Sequence, residues 1–525
     1  MPKELTQHYH NHAGGLNVKS SPLAMPLEDS PDLLNVSLTQ TGAIGKRTGW
    51  EHYSTTPAGN AIPGLIYVNS IFRLTKKAGA EYTIAWGGST AAGGGFFYGE
   101  TPHNVFTTVL WPVATHQSRY WLGEAYNDNL YLANGYDPPR VYHGGFGPGC
   151  MNNLADEVGA SLPAAWVGTD QPCGIVLTHH DRVERMCAWG VASDPSRVWF
   201  SDVQDPIEWN TGSAYNILVL NDNGEPVTAV VPLYERTLIF KKTQVALYIG
   251  DEPDNTYLDS VYPIGTEAPR SIIQVGRDLY CWSNRGPVQA SGIESYGDVN
   301  PVNIATKIEP FLNNVNWSRA DLIFAWHNKR ESQVIWSVPR SGGDLDRLLF
   351  VYHYALNAWV IWDNINAQCA CIYDETAGEP HVLLGGATGY VEHLTDAYSD
   401  NGLAYTSRWV SPWYDLGDYT RRKRIHRAEM ACEGDGFEVD IYEQWDFETD
   451  WFHVGNLQHL LPDGVALWNG VVWGFFEWGA GQVGTVHYIP QGSGKVYRLK
   501  LENTTANTSF LVHGWSFADY ARAHR

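Results

Sequence analysis

The sequence predicts an all-β protein: a β-propeller of six or seven blades, preceded by an extended N-terminal segment and followed by a C-terminal β-sandwich. Three observations carry the prediction. Of 525 residues, 44% are hydrophobic but only 18% are charged, with 52 Gly, 22 Trp and 29 Tyr. That balance favours many short strands joined by tight turns over long amphipathic helices. Strand–turn–strand phrases then recur from Ile66 onward at intervals of roughly 40 to 60 residues, the spacing of a repeat that cannot cover its own apolar faces. Finally, the composition changes sharply near residue 416.

Taken in order, residues 1–50 read as an N-terminal arm with connecting strands and 51–415 as the propeller. The repeated phrases are "LYLANGYDPPRVYHGG" (130–145), "RVWFSDVQDPIEW" (197–209), "TLIFKKTQVALYIGD" (237–251), "DLYCWSNRGPVQASG" (278–292), "LLFVYHYALNAWVIWDN" (348–364) and "HVLLGGATGYVEHL" (381–394). Each is an apolar strand, a polar turn and a second apolar strand. A stack of sandwiches built from irregular hairpins is the competing arrangement. The linker "WVSPWYDLGDYTRRKRIHRAEM" (409–430) closes the array with the one strong basic run of the chain. Residues 416–525 then read as a small sandwich: "FEVDIYEQWDF" (437–447) and "SGKVYRLKLENT" (493–504) alternate apolar and polar residues, on either side of the Trp- and Gly-dense "ALWNGVVWGFFEWG" (466–479).

The formal net charge of −22 argues against a general nucleic-acid grip, which depends on Lys and Arg displacing phosphate counterions. The N-terminus has no apolar core of a secretory signal, and no run of about 18 apolar residues occurs, so neither export nor membrane insertion is expected. Seven scattered cysteines do not form a disulfide framework, and Cys369 and Cys371 lack the second pair of a zinc site. His8, His10 and His12 share one face if extended and could hold a metal, although a simple arm explains them better. The Asn221–Gly224 cluster resembles a calcium loop without its closing Glu, which a hairpin turn also explains. Asp202, Asp205 and Glu208 crowd one loop, but "SDVQDPIEW" is good turn chemistry and nothing in it marks a raised carboxyl pKa. No nucleophile elbow, zinc-protease helix, P-loop or dinucleotide fingerprint is present. Trp199, Trp282, Trp336, Trp359 and Trp362 fall within strands and read as core rather than sugar-stacking platforms. No catalytic, cofactor or metal residue is therefore assigned.

The opening "GGLNVKSSPLAMPLEDSPDLLNVSLTQTGAIGKRTGW" (14–50) resembles the start of many phage tail and neck proteins, with a GG-N segment, an N-V strand and a G-x-x-x-K-R-x-G turn (Gly42, Lys46, Arg47, Gly49). The phrases "YLANGYDPPRVY", "VWFSDVQDPIEW" and "LIFKKTQVALYIG" are similar to blades of the tail nozzle proteins of short-tailed phages, also called tail accessory factors or tail hubs. The likeness covers nearly the whole chain. It implies a structural virion protein, made in the host bacterial cytoplasm and placed in the phage tail. It further implies a homohexameric ring that extends the DNA ejection channel below the portal and adaptor. The partners implied are other copies of the chain, adaptor and portal-proximal proteins, and tail fibre, tailspike or needle proteins. Genomic DNA would pass without specific binding, and an acidic wall suits that passage because it repels phosphates. A receptor- or glycan-binding propeller is the alternative, and a polysaccharide hydrolase a more distant one. Arg421, Arg422, Lys423, Arg424 and Arg427 form the candidate subunit interface, where complementary charge would fix register. A solvated strand edge guarded by cations is the competing explanation.

Overall fold

The computed structural model describes residues 5–53, 65–89, 95–101, 105–109, 120–166, 168–180, 183–220, 224–233, 236–250, 252, 254–291, 300–374, 380–433, 437–459 and 483–522. The Asn221–Asn223 part of the calcium-like cluster and the Trp-rich 466–479 stretch lie outside them. Seven four-stranded antiparallel units follow one another through the described residues, opening with Leu65–Thr75, Leu122–Tyr126, Gly174–His180, Val227–Leu233, Ile273–Val275, Phe324–Asn328 and Cys369–Asp374. The opening strands of the first four units lie side by side, as do those of the last three, and the seventh returns to the first. This is a closed seven-bladed propeller.

The apolar clusters show why the ring closes. Apart from the largest, which runs from the fifth and sixth blades into the sandwich, each lies between blades rather than inside one: Trp86, Trp121 and Leu132 join the first and second, and Tyr131, Met186 and Trp199 the second and third. Cys187, Phe200 and Ile239 join the third and fourth, and Phe240, Leu247 and Cys281 the fourth and fifth. A blade sheet is apolar on both faces, so it is stable only between two neighbours. Trp199, Trp282, Trp336, Trp359 and Trp362 are all buried in this packing.

The seventh blade contributes only three strands of its own. Its fourth is Trp50–His52, which pairs antiparallel with Val391–Leu394, so the two ends of the propeller are hydrogen-bonded to each other. The C-terminal unit is a two-layer sandwich that extends beyond 416–525 by recruiting Ser407–Val410 and strands of the arm. One layer is Val483–Tyr488, Lys423–Glu433, Leu511–Arg522, Ile44–Lys46 and Val36–Leu38, with Leu5–Tyr9 also paired to Leu511–Arg522. The other is Asp32–Leu34, Ser407–Val410, Tyr497–Asn503, Phe437–Trp445 and Phe452–His459. Asp32–Leu34 also pairs, in parallel, with Ala358–Trp362 of the sixth blade, making one nine-stranded sheet out of blade and sandwich layer. The alternation read in Phe437–Trp445 holds: Phe437, Val439 and Ile441 point inward, while Glu438 and Asp440 face out.

Candidate assembly site

The Lys46–Arg47 turn folds into a buried knot where arm, propeller and sandwich meet. Arg47 is fully buried and all five of its N–H donors are used. Nε donates to Asn35 Oδ1 at 3.0 Å. One terminal nitrogen donates to Thr48 O and Asp400 Oδ1, each at 2.9 Å, and the other to Asp363 O at 3.0 Å and Asp400 Oδ2 at 2.7 Å. The guanidinium lies over the Tyr405 ring, 4.0 Å from its centre. Lys46 beside it reaches Asn503 Oδ1 and Thr505 O, both at 2.8 Å. Burial and the neighbouring Arg47 charge pull its pKa down to about 8. Asp363 follows the sixth blade, Asp400 the seventh, and Asn503 ends a sandwich strand, so two consecutive arm residues tie three bodies. Gly49 completes the turn because any Cβ there would strike the Ser399 carbonyl.

A second anchor lies nearer the N-terminus. Asp29 is fully buried and receives Asn17 Nδ2 at 2.7 Å and Lys307 Nζ at 2.9 Å, while the same ammonium donates to Gly14 O. Gly15, at φ +73°, passes against the Trp359 backbone where no side chain fits. The GG-N and K-R-x-G segments are thus the two fasteners of the arm.

His8, His10 and His12 do not gather on one face. The strand ends at Tyr9, leaving His8 and His10 exposed and stacked at 5.6 Å, whereas His12 turns inward and stacks on Trp515 at 4.0 Å. Burial lowers the His12 pKa to about 3, so its ring stays neutral. No group of three His, Cys, Asp or Glu among the described residues is arranged to hold a metal.

The Asp202 loop is likewise turn architecture. Asp202 accepts from the Ser213 and Val203 amides, and the Ser213 hydroxyl and these bonds hold its pKa below the ordinary carboxylate value, the reverse of a general acid. Asp205 accepts from the Ile207 amide and Glu208 from the Thr211 hydroxyl.

The axial mouth of the propeller, where the opening strands begin, is crossed by Arg270. Its guanidinium donates to Asn69 O at 3.1 Å and Gln368 O at 3.2 Å and lies 3.8 Å from the centre of the Tyr120 ring. These partners belong to or precede the opening strands of the first, seventh and second blades, and Arg270 precedes the fifth. Arg347, also buried, clamps Gln368 Oε1 at 2.6 Å from one side. Arg47, Asp400 and Arg270 are not legible in the sequence as structural centres because their partners lie up to 358 residues away.

The basic run divides along the alternation of the Lys423–Glu433 strand. Lys423 faces inward, 1% exposed, and its ammonium is consumed by the Asp415, Asp418 and Lys495 carbonyls. Arg421 pairs with Asp418 at 3.3 Å, and Arg427 with Glu429 at 2.6 Å. Arg422 leans on Ser493 O at 3.0 Å, and Arg424 projects from the outer face. Of the five candidates, Arg422 and Arg424 are the charges presented to solvent without a carboxylate partner among the described residues.

Several solved structures align with this chain at low identity. No family profile and no curated protein matches it. The WD40 propeller of Doa1 aligns at 11% identity over 66% of this chain and 97% of its own, with a TM-score of 0.39. The Neurospora crassa Pan2 WD40 domain aligns at 10% identity over 68% and 97%, also at 0.39. A family 43 arabinoxylan arabinofuranohydrolase from Bacillus subtilis, in complex with cellotetraose, aligns at 10% over 90% and 98%, with a TM-score of 0.24. At these values nothing about ligands or chemistry passes to this chain, and the propeller rests on its own seven sheets.

Proposed function

We propose that this chain is a structural protein of a short bacteriophage tail, assembling as a ring of six copies that extends the DNA ejection channel below the portal and adaptor. The observation that carries the reading is the arm: the Gly14–Trp50 segment that resembles phage tail proteins is the one that fastens propeller to sandwich and closes the last blade. Two features support it. Arg270 reaches from the fifth blade to backbone carbonyls of the first blade and of the segment entering the seventh, so the conduit we propose lies between copies rather than through one propeller. The strong acidic excess suits a wall that must release DNA rather than hold it.

Light scattering on the purified protein, alone and with phage portal and adaptor proteins, tests this reading. It expects a particle of about six times the 58.6 kDa chain that forms on, or binds to, the adaptor ring. A monomer at every concentration that ignores those partners would overturn it and favour a receptor- or glycan-binding propeller.

A further inference from the structure

At one end of the sandwich the chain carries two oppositely charged surfaces that leave each other unsatisfied. This is the end remote from the Arg47 knot: the Tyr497–Asn503 strand runs from the hairpin tip, where Tyr497 pairs with Trp445, to Asn503, where Lys46 binds. The first surface is Arg422 and Arg424 on the outer face of one layer, with Tyr419 45% exposed beside them in sequence. The second is the tip joining Phe437–Trp445 to Phe452–His459 in the other layer. Its sequence is Asp446-Phe447-Glu448-Thr449-Asp450-Trp451-Phe452. The Glu448 and Asp450 carboxylates are exposed and have no cation partner among the described residues, and Phe452 is 53% exposed.

The tip is held in shape rather than loose. Asp446 caps the Lys495 amide, Phe447 packs on Trp413 at 4.7 Å, and Arg498 lies 4.4 Å from the Trp413 ring and 4.9 Å from the Trp451 ring. The 493–495 loop touches both surfaces, through Ser493 to Arg422 and through Lys495 to Asp446, so their spacing is fixed. Preorganised opposite charges flanked by exposed aromatic rings are the composition of a protein contact, with Arg able to pair with carboxylates and lie on rings.

We infer that the occupant of each surface is a second copy of this chain: Arg422 and Arg424 of one copy meet Glu448 and Asp450 of the next. The inference rests on the ring reading and names its contact. The contact joins unlike patches of two copies, so it can repeat head to tail, and a ring forms where the rotation closes. Charge complementarity sets the register, and the flanking Tyr419 and Phe452 supply apolar area.

Two full-length variants and their mixture test this. One is Arg422→Glu with Arg424→Glu, and the other is Glu448→Lys with Asp450→Lys. All four side chains are exposed, and circular dichroism checks that each variant is folded. Each variant alone is expected to need at least roughly tenfold more protein than the wild type to assemble, since like charges then face each other. The one-to-one mixture restores assembly, because every contact again joins opposite signs. Folded variants that assemble as the wild type does, or a mixture that stays dissociated, would overturn the contact while leaving the ring intact. A wild type that remains monomeric at low salt and high concentration would overturn the ring reading, and this contact with it.

Discussion

Replacing Arg47 by Met should loosen the molecule at one place and by a calculable amount. The side chain is fully buried, makes five hydrogen bonds and is the direct counter-ion of Asp400. Met fills a similar volume over Tyr405 but leaves the Asp400 carboxylate buried, and burial already pushes that carboxyl pKa up despite the Arg47 charge. Removing one member of a buried pair typically costs about 3–5 kcal/mol. That is a large part of the roughly 5–15 kcal/mol that holds a domain together. A chain of this size need not unfold in one step, so the assay is local: hydrogen exchange at residues 44–53 and 391–403, the arm strand and the blade it closes. Protection there should fall by about two to four orders of magnitude, with the second to fourth blades unaffected. The double change Arg47→Met with Asp400→Asn should recover part of the loss, because the stranded charge is gone. Protection within a factor of five of wild type in Arg47→Met, or no recovery in the pair, would refute the knot as the fastener of the arm.

Three further outcomes follow from the same structure. Gly49→Ala should destabilise the closure by about 2 kcal/mol or more, read as a lowered midpoint of thermal unfolding, because its Cβ has no space against the Ser399 carbonyl. Glu392 is buried near Asp400 and its pKa is raised to about 8, so the folded state holds a proton that the unfolded chain releases near the ordinary value. Its contribution to stability therefore falls as pH rises from the ordinary carboxyl value to about 8, and Glu392→Gln should gain on the order of 5 kcal/mol over wild type at pH 9 and little at pH 4, measured by urea unfolding. His12 behaves oppositely: its folded pKa is depressed to about 3, the unfolded chain takes up the proton first, and stability is lost as pH falls from about 6.5. His12→Phe keeps the stack on Trp515 and should move acid unfolding to lower pH; an unchanged acid limb would contradict the buried neutral ring.

The parts of the fold visible in the sequence are those set by local alternation. Phe437–Trp445 and Tyr497–Asn503 show their buried faces in every second residue, and the repeated hairpins mark the blades. The closing strand was not visible, since Trp50–His52 is three residues long and its partner lies 342 positions away. The arm was legible as a distinct segment but not as part of the sandwich, because its strands are too short to display a period. Of the basic run, the inward turn of Lys423 was in principle readable from the Lys423-Arg424-Ile425 alternation, with Ile425 marking the core side. What no local pattern discloses is the acceptor: three backbone carbonyls that only folding assembles. The acidic hairpin tip escaped notice for a related reason, since its link to Arg422 runs through a loop 71 residues away.

The most direct test of the account is negative-stain imaging of the purified protein alone and after mixing with the portal and adaptor proteins. Rings of six copies around an open axial channel are expected, with the propellers arranged about that channel rather than centred on it. Isolated propeller-sized discs under both conditions would contradict it.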